Sequence, residues 1–106
     1  MTEFVQISTT TAQRKDAEQL AAVLVARRLA GCVQVSGPIT STYRWQGETE
    51  TAEEWMCIAK TSRRLLDAIE RLLDEIHGYD VPELIATPIV GGSDKYLKWL
   101  AEQLRN

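Results

Sequence analysis

Thirty consecutive residues, Cys32 to Thr61, are rich in β-branched and aromatic side chains, show no helical periodicity and offer one turn, at Gln46-Gly47-Glu48. Read as a single hairpin, the stretch has strands of about 12 to 14 residues, well beyond the usual mode of 5 or 6, so it must project past the sheet it joins. Alternation places Ile39, Ser41, Tyr43 and Trp45 on one strand face and Thr40, Thr42 and Arg44 on the other. Gly37-Pro38 interrupts the first strand. Because proline cannot donate a ladder hydrogen bond, a bulge or an edge position is expected there.

Shorter elements flank the hairpin. Phe4-Val5-Gln6-Ile7-Ser8 is apolar and β-prone and runs into Thr9-Thr10-Thr11. Ala17, Leu20, Ala21, Leu24, Val25 and Leu29 then recur at helical spacing, which predicts a helix over 13–30 with Gly31 as its left-handed cap. A second helix is expected from Thr61 or Ser62, both good N-caps, with Leu65, Ile69, Leu72, Leu73 and Ile76 on one face and Gly78 at its end. Leu84-Ile85-Ala86-Thr87, between Pro82 and Pro88, reads as a strand. Gly91-Gly92-Ser93 leads into a last helix carrying Leu97, Leu100, Ala101 and Leu104.

The order is β-α-β-β-α-β plus one helix. This is the ferredoxin-like α+β unit, in which two helices cover one face of a four-stranded antiparallel sheet and leave the other bare. Unpaired edges and a bare face near Tyr43, Trp45 and Trp55 are an aggregation liability unless another copy covers them, so a homo-oligomer is expected.

Composition narrows the function. The 106 residues, 44% hydrophobic and 25% charged, suit one domain spanning 1–106. Net charge is -3 and basic residues cluster no further than Arg27-Arg28 and Arg63-Arg64, so no concentrated face for nucleic acid is formed. No apolar run approaches the roughly 20 residues of a membrane-spanning helix. Met1-Thr2-Glu3 has no basic or apolar leader character, and a cytoplasmic location is the expectation.

Particular segments go beyond topology. The run ARRLAGCVQVSGPITSTYRWQGE from Ala26 to Glu48, the run HGYDVPELIATP from His77 to Pro88, the closing Tyr96-Leu97-Lys98-Trp99 and the stretch Glu53 to Thr61 resemble the CutA family of divalent-ion tolerance proteins. The resemblance covers about nine tenths of the chain. It implies a ferredoxin-like fold, a homotrimer built through the long hairpins and a role in tolerance of divalent metals such as copper. It also implies an architecture similar to the PII signalling proteins, which bind small ligands between subunits. In the family's pattern Glu83 and Tyr79 belong to a cleft-lining segment. The chain departs from that pattern at Gly78, Asp80, Gln34 and Ala59, and Gly78, standing where proline is usual, holds His77 less rigidly.

Candidate chemistry is sparse. Copper or zinc would draw on thiolate and imidazole, and the chain offers Cys32, Cys57, His77, Met1 and Met56. With the turn at Gly47, Cys57 falls opposite Gly37 and Cys32 about 17 Å further along, too far to share an ion within one chain. Cys32 and His77 fall at opposite ends of the subunit, so a site using both needs two copies. His77 and Cys32 are therefore metal candidates between subunits, with no obligatory cofactor. Cysteine is also a common small core residue, and an imidazole at a helix C-terminus complements the dipole without binding anything.

Glu50, Glu53, Glu54, Asp80 and Glu83 form a second, oxygen-donor set for a hard cation, although surface carboxylates are ordinarily just solvated. Tyr43, Arg44, Trp45, Tyr79, Glu83 and Trp99 are the cleft or intersubunit candidates, large rings being common interface anchors. Catalysis has little support. One histidine excludes a charge-relay set with a second acid, and Gly91-Gly92 lacks the lysine and spacing of a phosphate loop. Three functions follow: metal tolerance by binding, a PII-like module for a small anion or partner protein, or a structural trimeric scaffold.

Overall fold

The computed structural model describes residues 3–106. Strand β1 (Phe4–Thr11) leads to helix α1 (Arg14–Ala26), then the hairpin strands β2 (Cys32–Trp45) and β3 (Glu48–Ser62). A 3-10 turn (Arg63–Leu65), helix α2 (Leu66–Ile76), strand β4 (Ile85–Pro88) and helix α3 (Asp94–Gln103) complete the chain. The sheet order is β2-β3-β1-β4, all antiparallel, which is the split arrangement expected from the sequence.

Period-2 alternation divides the sheet. Val5, Ile7, Thr9 and Thr11 of β1 and Cys57, Ala59 and Thr61 of β3 are buried beneath the helices. They meet Ala17, Leu20 and Leu24 of α1 and Ile69, Leu72 and Leu73 of α2, whose spacing of three and four residues makes one apolar stripe per helix. Ile76 is excluded from that stripe and is 44% exposed.

The element ends differ from the sequence expectation in physically clear ways. Helix α1 stops at Ala26, and the left-handed residue is Arg28 (φ 58), with Arg28 N–H bonded to the Val25 carbonyl and Leu29 N–H to that of Leu24. That is a Schellman cap without glycine. Arg28 also donates from Nε to the Gln103 carbonyl at 2.8 Å and from its guanidinium to that of Glu102, which ties α1 to the end of α3. Gly31 instead lies against α3, where a Cβ would come within 2.6 Å of Leu100 Cδ1 and displace that side chain.

Ser62 and Thr61 are strand residues rather than helix caps. The Thr61 hydroxyl donates to the Leu29 carbonyl and Ser62 to Glu3. Helix α2 ends on His77 in extended geometry (φ -76, ψ 142), so Gly78 is not its cap. Helix α3 starts as expected, with Ser93 Oγ accepting from Tyr96 N–H at 3.2 Å.

The hairpin is the long element. Trp45 pairs with Glu48, and the turn residues Gln46 (φ 51) and Gly47 (φ 82) both lie at positive φ, the geometry of a two-residue primed turn. A bulge falls between Ser36 and Ile39, at the glycine-proline pair. Strand β1 reaches only as far as Trp55, so Ile39–Trp45 and Glu48–Glu54 pair with each other alone. The chain measures 44 × 25 × 23 Å, elongated by this arm.

Candidate functional site

Turn and bulge together shift the hairpin register by two residues from the expected one. Cys57 lies opposite Val35 rather than Gly37, so Cys32 is three residues away, about 10 Å along the strand instead of 17. The two sulfurs still do not meet, because Cys57 faces the helices and an odd separation puts Cys32 on the other face. Burial pushes the Cys57 thiol up to about 11, and its Sγ donates weakly to the Ala17 carbonyl at 3.7 Å. Cys57 is thus an inert core residue.

Beyond α2 the segment 77–84 crosses the end of the sheet onto the face the helices leave bare. Three hydrogen bonds fasten it to the sheet, and a fourth within the segment orients the His77 ring. His77 Nδ1 accepts from Tyr79 N–H at 3.1 Å, which leaves the proton on Nε2 to be donated to the Thr10 carbonyl at 2.8 Å. Tyr79 Oη donates to Glu54 Oε2 at 2.7 Å, and Ser8 Oγ donates to Glu83 Oε2 at 3.1 Å. The His77 and Tyr79 rings pack at 5.0 Å.

Glu54 is the centre of this arrangement. It is only 8% exposed, yet it stays a carboxylate: burial raises its pKa, and hydrogen bonds from Ser41, Tyr79 and Thr10, with His77 nearby, more than offset that. The cost falls partly on Tyr79, whose phenol is held well above its usual range by burial and by the Glu54 carboxylate it serves. Sequence reasoning grouped Glu54 with solvated surface carboxylates. Its alternation with Trp55 and Cys57 does assign it to the bare face; the missing information was that Tyr79 returns from 25 residues downstream to cover it.

Around Glu54 the arm and the segment 77–84 enclose a cleft of about 660 Å³. Its walls include Tyr43, Trp45, Tyr79, Glu50, Asp80 and Glu83, and no lysine or arginine lines it. Of the predicted site residues, Tyr43, Trp45, Tyr79 and Glu83 are therefore brought together here. His77 stands behind Tyr79 with both ring nitrogens engaged. Arg44 lies on the other face of the arm, donating to the Gly47 carbonyl at 3.2 Å.

Cys32 and Trp99 belong to a different place. Cys32 pairs with Lys60, which pairs with Gln6, while His77 sits over Thr10, so Cys32 and His77 are roughly 16 Å apart across two strand spacings and four residues. Cys32 is beside the Tyr96 hydroxyl; burial and that thiol raise the phenol's pKa. Tyr96 in turn packs on Trp99 at 5.5 Å on the exposed side of α3. Among the described residues no three His, Cys, Asp or Glu side chains come close enough to hold one metal ion.

One antiparallel sheet in the order β2-β3-β1-β4, helices on one face and a carboxylate-lined cleft beside an overlong arm on the other, defines the split α+β class. Residues 5–103 match the family model of the CutA1 divalent ion tolerance protein. The chain is 40% identical over 102 residues to the chloroplastic protein CutA of Arabidopsis thaliana, covering 96% of this chain and 56% of that protein. It is 38% identical over 102 residues to the divalent-cation tolerance protein CutA of Thermus thermophilus, covering 96% of this chain and 97% of the relative. The crystal structure of CutA1 from Oryza sativa superposes with a TM-score of 0.94 at 38% identity, covering 98% and 95% of the two chains. The chain belongs to the CutA1 family. It spans little more than half the length of the chloroplastic plant proteins it matches, 56% of the Arabidopsis thaliana one and 57% of the chloroplastic protein CutA 1 of Oryza sativa. None of the described helices is long and apolar enough to cross a membrane.

Proposed function

We propose that this chain is a divalent-cation tolerance protein that acts by binding rather than catalysis, as a homotrimer whose clefts are completed between copies. The observation that carries the reading is the cleft's lining. Four carboxylates, one of them buried and kept ionised, face a space without a single lysine or arginine. Such a wall attracts a cation and repels an anion, which favours this reading over a PII-like site for a small anion.

The donors are carboxylate, hydroxyl and phenol oxygens, the set that suits hard divalent ions better than copper. Softer ions would need Cys32 and His77 of different copies, with His77 giving up a hydrogen bond. Among the described residues no three His, Cys, Asp or Glu side chains converge on one point, and in this reading a neighbouring copy and water complete the ligand set.

Three features support the assembly. The edge strands β2 and β4 are unpaired on one side, all four residues of β4 are exposed, and the arm beyond Trp55 is a two-stranded ribbon, marginal by itself. Three is the number of copies that the family resemblance implies. Two free cysteines fit a reducing compartment such as cytoplasm.

Calorimetry with Mn(II), Zn(II) and Cu(II) on the parent, Glu54→Gln and His77→Ala tests the reading. Loss of Mn(II) binding in Glu54→Gln with retention in His77→Ala is expected. Equal binding by all three proteins would remove the cleft as the site.

A further inference from the structure

The hairpin holds one residue more than its ladder can use. Pairing is regular from Cys32↔Lys60 to Ser36↔Met56 and again from Ile39↔Glu54 to Trp45↔Glu48, and the surplus lies between Ser36 and Ile39. The same surplus could sit at the tip. A ladder kept regular past Ser36 would pair Pro38 with Glu54, Thr42 with Glu50 and Arg44 with Glu48, closed by a loop of three residues in place of two. A slip of one residue turns every side chain over, so Thr40, Thr42 and Arg44 would then face the cleft and Ser41, Tyr43 and Trp45 would face away.

Pro38, which cannot donate to a regular ladder, disfavours the second pairing, and Gly37 is the residue that makes room for the first. Its φ of +154 is one that side-chain-bearing residues rarely adopt, and the Trp55 ring presses on it: a Cβ would lie 2.7 Å from Cδ1, 2.9 Å from Cγ and 3.1 Å from the Glu54 carbonyl. At the tip, by contrast, a Cβ on Gly47 would meet nothing within 4 Å, so the turn is open to its surroundings.

We infer that Gly37 is the positioning residue of the cleft: by letting the bulge form against Trp55, it turns Ser41, Tyr43 and Trp45, rather than Thr42 and Arg44, toward Glu54 and Tyr79. Bulges commonly re-aim side chains next to sites. The consequence for ligands rests on the cation reading above. An arm turned over would bring a guanidinium into a wall whose charged groups are otherwise all carboxylates.

Cross-strand backbone NOEs on the full chain, with Mn(II) calorimetry beside them, test this. The parent should show Tyr43 opposite Glu50. Gly37→Val should show Thr42 opposite Glu50 and bind Mn(II) roughly tenfold more weakly, the effect of one added positive charge about 10 Å away. Deleting Pro38 in the Gly37→Val chain removes the surplus residue, so a regular ladder and the native faces coincide. That doubly changed chain should recover the Tyr43–Glu50 pairing and the parent affinity.

Retention of the Tyr43–Glu50 pairing in Gly37→Val would overturn the inference. Should Gly37→Val not fold, the doubly changed chain decides: folded with the native pairing it supports the assignment, and unfolded or paired through Thr42 it overturns it. If the parent binds no Mn(II), the cation reading fails while the pairing experiment still judges Gly37.

Discussion

On the helix side of the sheet, Val5, Ile7, Cys57 and Ala59 are sealed at 1–2% exposure against α1 and α2. On the opposite side, Gln6, Ser8, Met56, Ile58 and Lys60 are half-buried, and burial is reached at Ser62, bonded to Glu3, and at Thr10 and Glu54, under segment 77–84. The first face is finished within one chain by nonpolar burial. The second is finished by hydrogen bonds to a returning loop and, further out, by none of the described residues. A face closed by packing gives stability, whereas a face closed by a few polar contacts leaves a chargeable cleft free for a ligand or another copy.

That contrast is broken most severely on the helix side. Ile69 is fully buried, and Ile69→Ala should cost about 2–5 kcal/mol in urea unfolding, enough to threaten the fold. On the arm, Trp45→Ala should leave the secondary structure intact. It should weaken self-association by about 2 kcal/mol, or about thirtyfold in dissociation constant, measured by sedimentation.

Beside Glu54, Tyr79→Phe removes one of the three hydroxyls that hold the buried carboxylate and should cost about 1–2 kcal/mol at neutral pH. The same residue sets an acid response. The Glu54 carboxyl is depressed in the folded state, so its contribution is complete above the unfolded value of 4.5 and is lost as pH falls through the lower folded value. Urea midpoints taken from pH 6 downward should fall in the parent below about pH 4.5 and fall less in Tyr79→Phe. The smallest effect is at α3, where Ser93→Ala removes an exposed cap bond and should cost about 1 kcal/mol by thermal unfolding.

The two faces also differ in how readable they were. Ala17, Leu20, Leu24, Ile69, Leu72 and Leu73 announce their burial through spacing, so the helices, the strand order and the covered face were legible, as was the interruption at Gly37-Pro38. Features settled by distant partners were not. Arg28 takes the left-handed cap because α3 carbonyls hold its guanidinium, and Gly31 is reserved for Leu100. Thr61 and Ser62 stay in the strand because Leu29 and Glu3 accept their hydroxyls. Tyr43, Trp45, Tyr79 and Glu83 were named as cleft or intersubunit candidates and all four line one cleft, but Glu54 was hidden by the assumption that a bare face means a wet one. The hairpin register was misjudged because the turn and the bulge each move it by one residue.

The central claim is that the arm and its cleft are completed by other copies of this chain. Sedimentation equilibrium from micromolar to nanomolar concentration, with hydrogen exchange of the amides in Ile39–Glu54, tests it most directly. A particle of three times 11.9 kDa with protected arm amides is expected, and that protection should be lost on dilution to the single chain. A single 11.9 kDa chain with its arm amides fully protected would contradict it.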